Sequence, residues 1–87
     1  MEEINKLLKL IQIAERTYES DLDWEDKYDV IFSKSCSQEI NLLRKQVGLS
    51  FDYYDPDTSY EEDVSAYVRA LRDQLKPKLE IMKSIEE

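Results

Sequence analysis

Residues 24–48 read WEDKYDVIFSKSCSQEINLLRKQVG, and this stretch decides the fold class. Trp24, Tyr28, Ile31, Phe32, Cys36, Ile40, Leu43 and Val47 recur at three- and four-residue steps, the spacing that lines up one face of an α-helix. Asp21 or Asp23 stands where a helix start wants a side-chain oxygen for its unpaired amides. Gly48 stands where a helix end wants a left-handed residue, and Leu49 behind it can fold back as the apolar partner of that cap. A helix of this length would span about 37 Å. That is long for a chain of 87 residues, and a break can fall in the serine-bearing segment 33–37.

The flanks carry the same period. Upstream, Ile4, Leu7, Leu8, Ile11, Ala14 and Tyr18 form one stripe, widened by Leu10 and Ile13. Downstream the period fails over residues 49–58. Ser59 and Glu62 then have the spacing of a capping box, and Val64, Tyr67, Val68, Leu71 and Leu75 open a third stripe. Pro77 interrupts it, because proline removes a backbone donor and crowds the preceding turn. Leu79, Met82 and Ile85 nevertheless keep the phase, so the helix either kinks at Pro77 or a short fourth helix begins there. No stretch alternates apolar and polar residues. The expected fold is all-α: a single domain over residues 1–87, an antiparallel three- to four-helix bundle with a structured connector before the third long helix.

Composition removes whole chemistries. The apolar share is 41%, enough for one modest core and too little for a core plus a deep pocket. Histidine is absent, Cys36 is the one cysteine and Gly48 the one glycine. The commonest general base, thiolate metal clusters, an internal disulfide and glycine-rich phosphate loops are therefore all excluded. An enzyme is not expected, nor a cofactor. Twenty acids against twelve bases give a net charge of −8, which argues against nucleic acid and anionic lipid as direct ligands and favours a basic partner. The acidic start, the missing apolar run and the lone thiol point to neither signal peptide nor membrane span, and to the cytoplasm.

The charge is concentrated. Residues 19–29 carry −5 through Glu19, Asp21, Asp23, Glu25, Asp26 and Asp29 against Lys27. Residues 52–63 carry −6 through Asp52, Asp55, Asp57, Glu61, Glu62 and Asp63 with no base, so the rest of the chain sums to +3. Acids suit the positive end of a helix dipole, but two or three per helix would suffice for that. Five of the nine aromatics, Trp24, Tyr28, Tyr53, Tyr54 and Tyr60, fall inside the same two stretches. Trp24 and Tyr28 lie on the apolar stripe and belong with the core. Tyr53 and Tyr54, adjacent in an aperiodic connector, cannot easily both point inward. Aromatic anchors among carboxylates are the profile of a protein-binding surface. The expected partner-binding residues are Tyr53, Tyr54, Asp52, Asp55, Asp57, Tyr60, Glu61, Glu62 and Asp63, with Asp21, Asp23, Glu25 and Asp26 from the other stretch.

Metal binding fails on spacing. Asp55, Asp57, Ser59 and Glu61 begin like a calcium loop, but Tyr60 occupies the sixth position and Ala66 the twelfth, where glycine and glutamate are required. Asp21, Asp23 and Glu25 fail likewise, with Asp26 and Phe32 at those places. Cys36, on the buried stripe, reads as an inert core thiol.

Phe51-Asp52-Tyr53-Tyr54-Asp55-Pro56, followed by acids and then Val64-Ser65-Ala66-Tyr67-Val68-Arg69, resembles the centre of the small bacterial immunity proteins that neutralise colicin and pyocin nucleases. In that family a tyrosine pair followed directly by proline sits on a short third helix, with an acidic helix soon after. Here Asp55 intervenes before Pro56, the second helix reads longer, and the family's tryptophan near the last helix is missing. The acidic helical immunity proteins of contact-dependent growth inhibition are similar in size and charge. The resemblance implies a monomer that binds a basic nuclease toxin domain one to one, with Tyr53 and Tyr54 as anchors and Asp21 to Asp26 setting specificity. The competing readings are an acidic antitoxin or DNA mimic, and a helical adaptor binding another basic protein.

Overall fold

The structure, a computed structural model, describes residues 2–53 and 57–86, with only the backbone of Glu86. Tyr54, Asp55 and Pro56 of the expected site lie outside the described residues. Five α-helices, α1 (Glu2–Glu19), α2 (Trp24–Ile31), α3 (Glu39–Gln46), α4 (Tyr60–Ala70) and α5 (Lys76–Glu86), account for most of the chain, and no strand occurs among the described residues. They form three runs. The first is α1, the second is α2 and α3 joined through a wide π turn at Lys34–Gln38, and the third is α4 and α5 joined through another at Leu71–Leu75.

The break in the second run has a local cause. Ser33 adopts an extended backbone (φ −87°, ψ 169°), and its hydroxyl donates to the Val30 carbonyl at 2.8 Å. Its own carbonyl then accepts from the Cys36 and Gln38 amides, both at 3.3 Å. Serine hydroxyls offer the backbone an alternative partner to the helical ladder, and here Ser33 takes it at Val30 and Ser37 at Ser33, while the Ser35 hydroxyl pairs with that of Ser33. The third run is continuous through Pro77. The Lys76 amide reaches back five residues to the Leu71 carbonyl, and this widened turn relieves the clash between the proline ring and the carbonyl four residues earlier. Pro77 therefore opens no separate fourth helix.

Caps close the ends. Asp23, rather than Asp21, caps α2, its carboxylate accepting the Asp26 amide at 2.9 Å. Ser59 caps α4 by accepting the Glu62 amide at 3.1 Å, while the Glu62 carboxylate takes the Thr58 hydroxyl. At the end of α3, Gly48 has φ +76°. The Leu49 amide bonds the Arg44 carbonyl at 2.9 Å and the Gly48 amide the Lys45 carbonyl at 3.1 Å, the two bonds of a Schellman cap. Leu49 packs against the core as that motif requires.

The stripes converge on one core of Ile4, Leu7, Ile11, Ala14, Ile31, Cys36, Ile40, Leu43, Val64, Tyr67, Val68, Leu71, Leu75 and Leu79. Fully burying one such leucine contributes about 1.5–3 kcal/mol. Ile13 and Ile85, expected on these stripes, are exposed. Helix direction follows from the pairs. Arg72 holds Glu19 and Glu15, and Lys76 holds Glu15, so the third run is antiparallel to α1. Tyr28 meets Tyr60 and Phe32 meets Tyr67, so the second and third runs are parallel to each other. The antiparallel expectation holds for α1 against each neighbour and not between those two. The connector between α3 and α4 makes the difference: the chain ends α3 at one end of the bundle and starts α4 at the other, and of its described residues Asp52 donates its amide to Gln74 Oε1 at 2.9 Å. Residues 51–53 are not helical, unlike the short helix that the family resemblance implies.

Candidate functional site

Two parallel runs place both their N-termini at the same end of the molecule. The two acidic stretches, separated in sequence by 22 residues, therefore lie side by side. Asp21, Asp23, Glu25, Asp26 and Asp29 from one, and Asp57, Glu61 and Glu62 from the other, are exposed there. An all-antiparallel order would have put them at opposite ends. Clustering of this kind raises a field of one sign over a compact surface.

Three contacts build this acidic end. Lys27, the single base within the two stretches, is turned inward and only 6% exposed. Its ammonium donates to the Tyr18 carbonyl in the last turn of α1 at 2.7 Å and stands 4.2 Å from the centroid of the Trp24 ring. A cation there satisfies a helix C-terminal carbonyl and stitches α1 to α2. Arg72 makes a second stitch, with Nε to Glu15 and a terminal nitrogen to Glu19, both at 2.8 Å, and its guanidinium carbon 5.8 Å from the Tyr18 ring. Burial pulls the Glu15 carboxyl upward, but hydrogen bonds and charge from Arg72 and Lys76 outweigh it and hold it below the usual carboxylate value. Asp63 is the third. Its Oδ1 accepts the Asp57 amide at 2.9 Å, which holds the connector where Asp57 turns through φ +52°.

Asp63 thereby departs from its expected place on the partner-facing surface: it is 7% exposed, turned toward the connector that covers it. Tyr53 is a second departure. Its ring lies edge-on to Tyr67 at 5.0 Å and beside Phe51 at 5.8 Å, half-buried against the core rather than standing out. Asp52 is exposed but sits beside Gln74, along the third run and away from the acidic end. Trp24 and Tyr28 pack against the core, as their place on the stripe implies.

The aromatics of the acidic stretches mostly belong to a seam. Tyr60, Tyr28, Phe32 and Tyr67 follow one another at 5.0, 4.6 and 5.0 Å between centroids, and Phe51 and Tyr53 close on Tyr67. Burial pushes the Tyr67 phenol far above its ordinary value and raises the Cys36 thiol, so both are inert packing groups. Among the described aromatics of the two stretches, Tyr60 alone is exposed, at 47%. It forms, with Tyr28, Asp57, Thr58, Ser59 and Asp63, a shallow groove between α2 and α4.

Sequence reasoning missed the pairing of Tyr28 with Tyr60 and the inward roles of Lys27 and Arg72. One signal for the pairing was available. An extended segment of eleven residues, 49–59, reaches about 36 Å, the length of the run it must retrace. No helix among the described residues is long and apolar enough to cross a membrane. Comparison with protein-family models, with curated protein sequences and with solved structures found no match.

Proposed function

We propose that this protein is an immunity protein that binds a cognate basic nuclease toxin domain one to one in the cytoplasm and neutralises it through its acidic end. The observation that carries the reading is the juxtaposition of the two acidic stretches around an exposed tyrosine. A nuclease must bind phosphate and so presents a basic face. An acidic end with a rigid aromatic is complementary to that face in charge and supplies an anchor for affinity. The same juxtaposition disfavours the DNA mimic, which needs carboxylates spread along one face at phosphate-like spacing. Tyr53 no longer supports the reading, because its ring belongs to the core edge. The weight falls on Tyr60, Glu61, Glu62, Asp57 and the start of α2.

Where a reading frame beside this gene encodes a secreted protein with a basic C-terminal domain, that domain is the probe for the test. The expected result is stoichiometric loss of its nuclease activity and an association rate that falls steeply with salt. Reversing Glu61 and Glu62 to lysine together should slow association several-fold and flatten the salt dependence, with dissociation less affected. Full nuclease activity in the presence of excess protein refutes the reading, and salt-insensitive association refutes the role given to the acidic end.

A further inference from the structure

We infer that the face between α1 and the second run docks a second copy of this chain, packed antiparallel about a two-fold axis near Ile13. This goes beyond the immunity reading and does not rest on it; the family resemblance implies a monomer.

Helical register builds the face. On α1, Ile4, Leu7, Ile11 and Ala14 point to the core, and Leu8, Gln12 and Glu15 line the groove against α5. Lys6, Leu10 and Ile13 are left on the opposite side. There they form, with Lys9 and with Ser35 and Glu39 of the second run, a largely carbon-lined groove of about 440 Å3. Lys27 shows which side of α2 meets α1, since it reaches the Tyr18 carbonyl. Val30 lies three residues on along that side, with Asp26 one turn before it, and Leu42 follows Glu39 by three residues. Ile13, Val30 and Leu42 are 40%, 41% and 52% exposed. Single exposed apolar side chains are ordinary, but several on one face around an apolar groove mark an interaction surface.

Charge identifies the occupant. The rise of α1 puts Lys6 about 10 Å to one side of Ile13. Asp26 precedes Lys27, which meets Tyr18 five residues beyond Ile13, so Asp26 stands about 9 Å to the other side. The two are nearly equidistant. A two-fold axis at Ile13 therefore sets Lys6 of each copy against Asp26 of the other and packs the apolar centre on itself, the self-complementarity that a two-fold interface requires. A parallel pairing would set acid on acid. Size agrees: the molecule measures 39 × 23 × 20 Å, so one long face is of the order of the roughly 800 Å2 per partner that a stable interface takes up. Tyr60, Glu61 and Glu62 belong to α4, outside this face, and stay uncovered in such a dimer.

The experiment is sedimentation equilibrium of the full chain over a range of concentrations. A closed, reversible dimer should form with a Kd of about 1–100 µM, the weak end for a face of this size. Ile13→Glu should weaken it at least about tenfold by bringing a carboxylate into each half of the apolar centre. Because Ile13 is exposed, the melting temperature of the monomer should hold. Lys6→Glu and Asp26→Lys should each weaken the dimer about tenfold, and the two together should restore it. Ile81→Glu, on the exposed face of α5, should leave it intact. A monomer at about 1 mM, ten times the weakest expected Kd, overturns the inference. So does a dimer that survives Ile13→Glu or is lost in Ile81→Glu. Failure of the charge swap to restore association, or growth into open chains, overturns the antiparallel two-fold arrangement.

Discussion

Replacing Gly48 isolates the backbone energy of one cap. Its φ of +76° is a conformation that side chains disfavour, and a Cβ built there meets no atom within 4 Å. The penalty for alanine is therefore conformational alone, about 1–2 kcal/mol for an L-residue in the left-handed region. Against it stands the lower unfolded-state freedom of alanine, worth roughly 0.5–1 kcal/mol. The net expectation for Gly48→Ala is a loss of about 0.5–1 kcal/mol, or about 3–6 °C in Tm for a domain of this size. Asparagine, which tolerates this region, should lie between glycine and alanine, and β-branched valine should fall furthest, by about 1 kcal/mol or more. Thermal melts by circular dichroism at matched protein concentration give the order. Because Gly48 ends the second run, far from the helix starts that carry the acids, association with a basic partner should be unchanged in all three variants. A helix continuing through residue 48 would invert the sign, with alanine stabilising by about 1 kcal/mol as in a helix interior. A rise in Tm for Gly48→Ala would thus refute the Schellman cap.

Two further predictions concern groups that tie the runs together. Glu15 has a folded-state value below its ordinary 4.5, so its stabilising contribution is complete above the unfolded value and lost as pH falls through the folded one. The stability gap between wild type and Glu15→Gln, measured by urea melts, should narrow from about pH 6 to about pH 3, and a constant gap would show that charge on Glu15 is not what matters. Asp63→Ala should cost about 1–3 kcal/mol by leaving the Asp57 amide without its acceptor, while association with a basic partner, per folded molecule, stays close to wild type. Slower association with an unchanged Tm would return Asp63 to the binding surface.

Much of this architecture is legible along the chain because its causes are local. Helical period, the Asp23 and Ser59 caps and the Gly48–Leu49 ending each depend on residues within one or two turns, and the core members sit where the stripes put them. What is not legible depends on partners distant in sequence. Asp63 reads as one more surface acid at a helix start, yet an amide from the connector draws it inward. Tyr53 reads as an exposed anchor, but Tyr67, fourteen residues on, offers its ring an edge-on partner. Pro77 reads as a break, and the third run absorbs it by widening the turn before it. The two acidic stretches were visible as stretches. That they form one surface follows only from the direction of the third run.

That direction also bears on how the chain assembles. In an up-and-down bundle each helix meets its sequence neighbour, and most contacts close short loops. Here the seam joins Tyr28 to Tyr60 and Phe32 to Tyr67, and the stitch at Arg72 reaches Glu15 across 57 residues. Loop closure grows only logarithmically with length, roughly 0.6 kcal/mol for each doubling, so the equilibrium suffers little. Kinetics feel it more, because these distant contacts stabilise nothing until α1 and the second run already offer a surface to receive α4. Pairing the two helix starts thus shifts the chain away from the fastest helical folders, toward rates set by search across the connector rather than by helix formation.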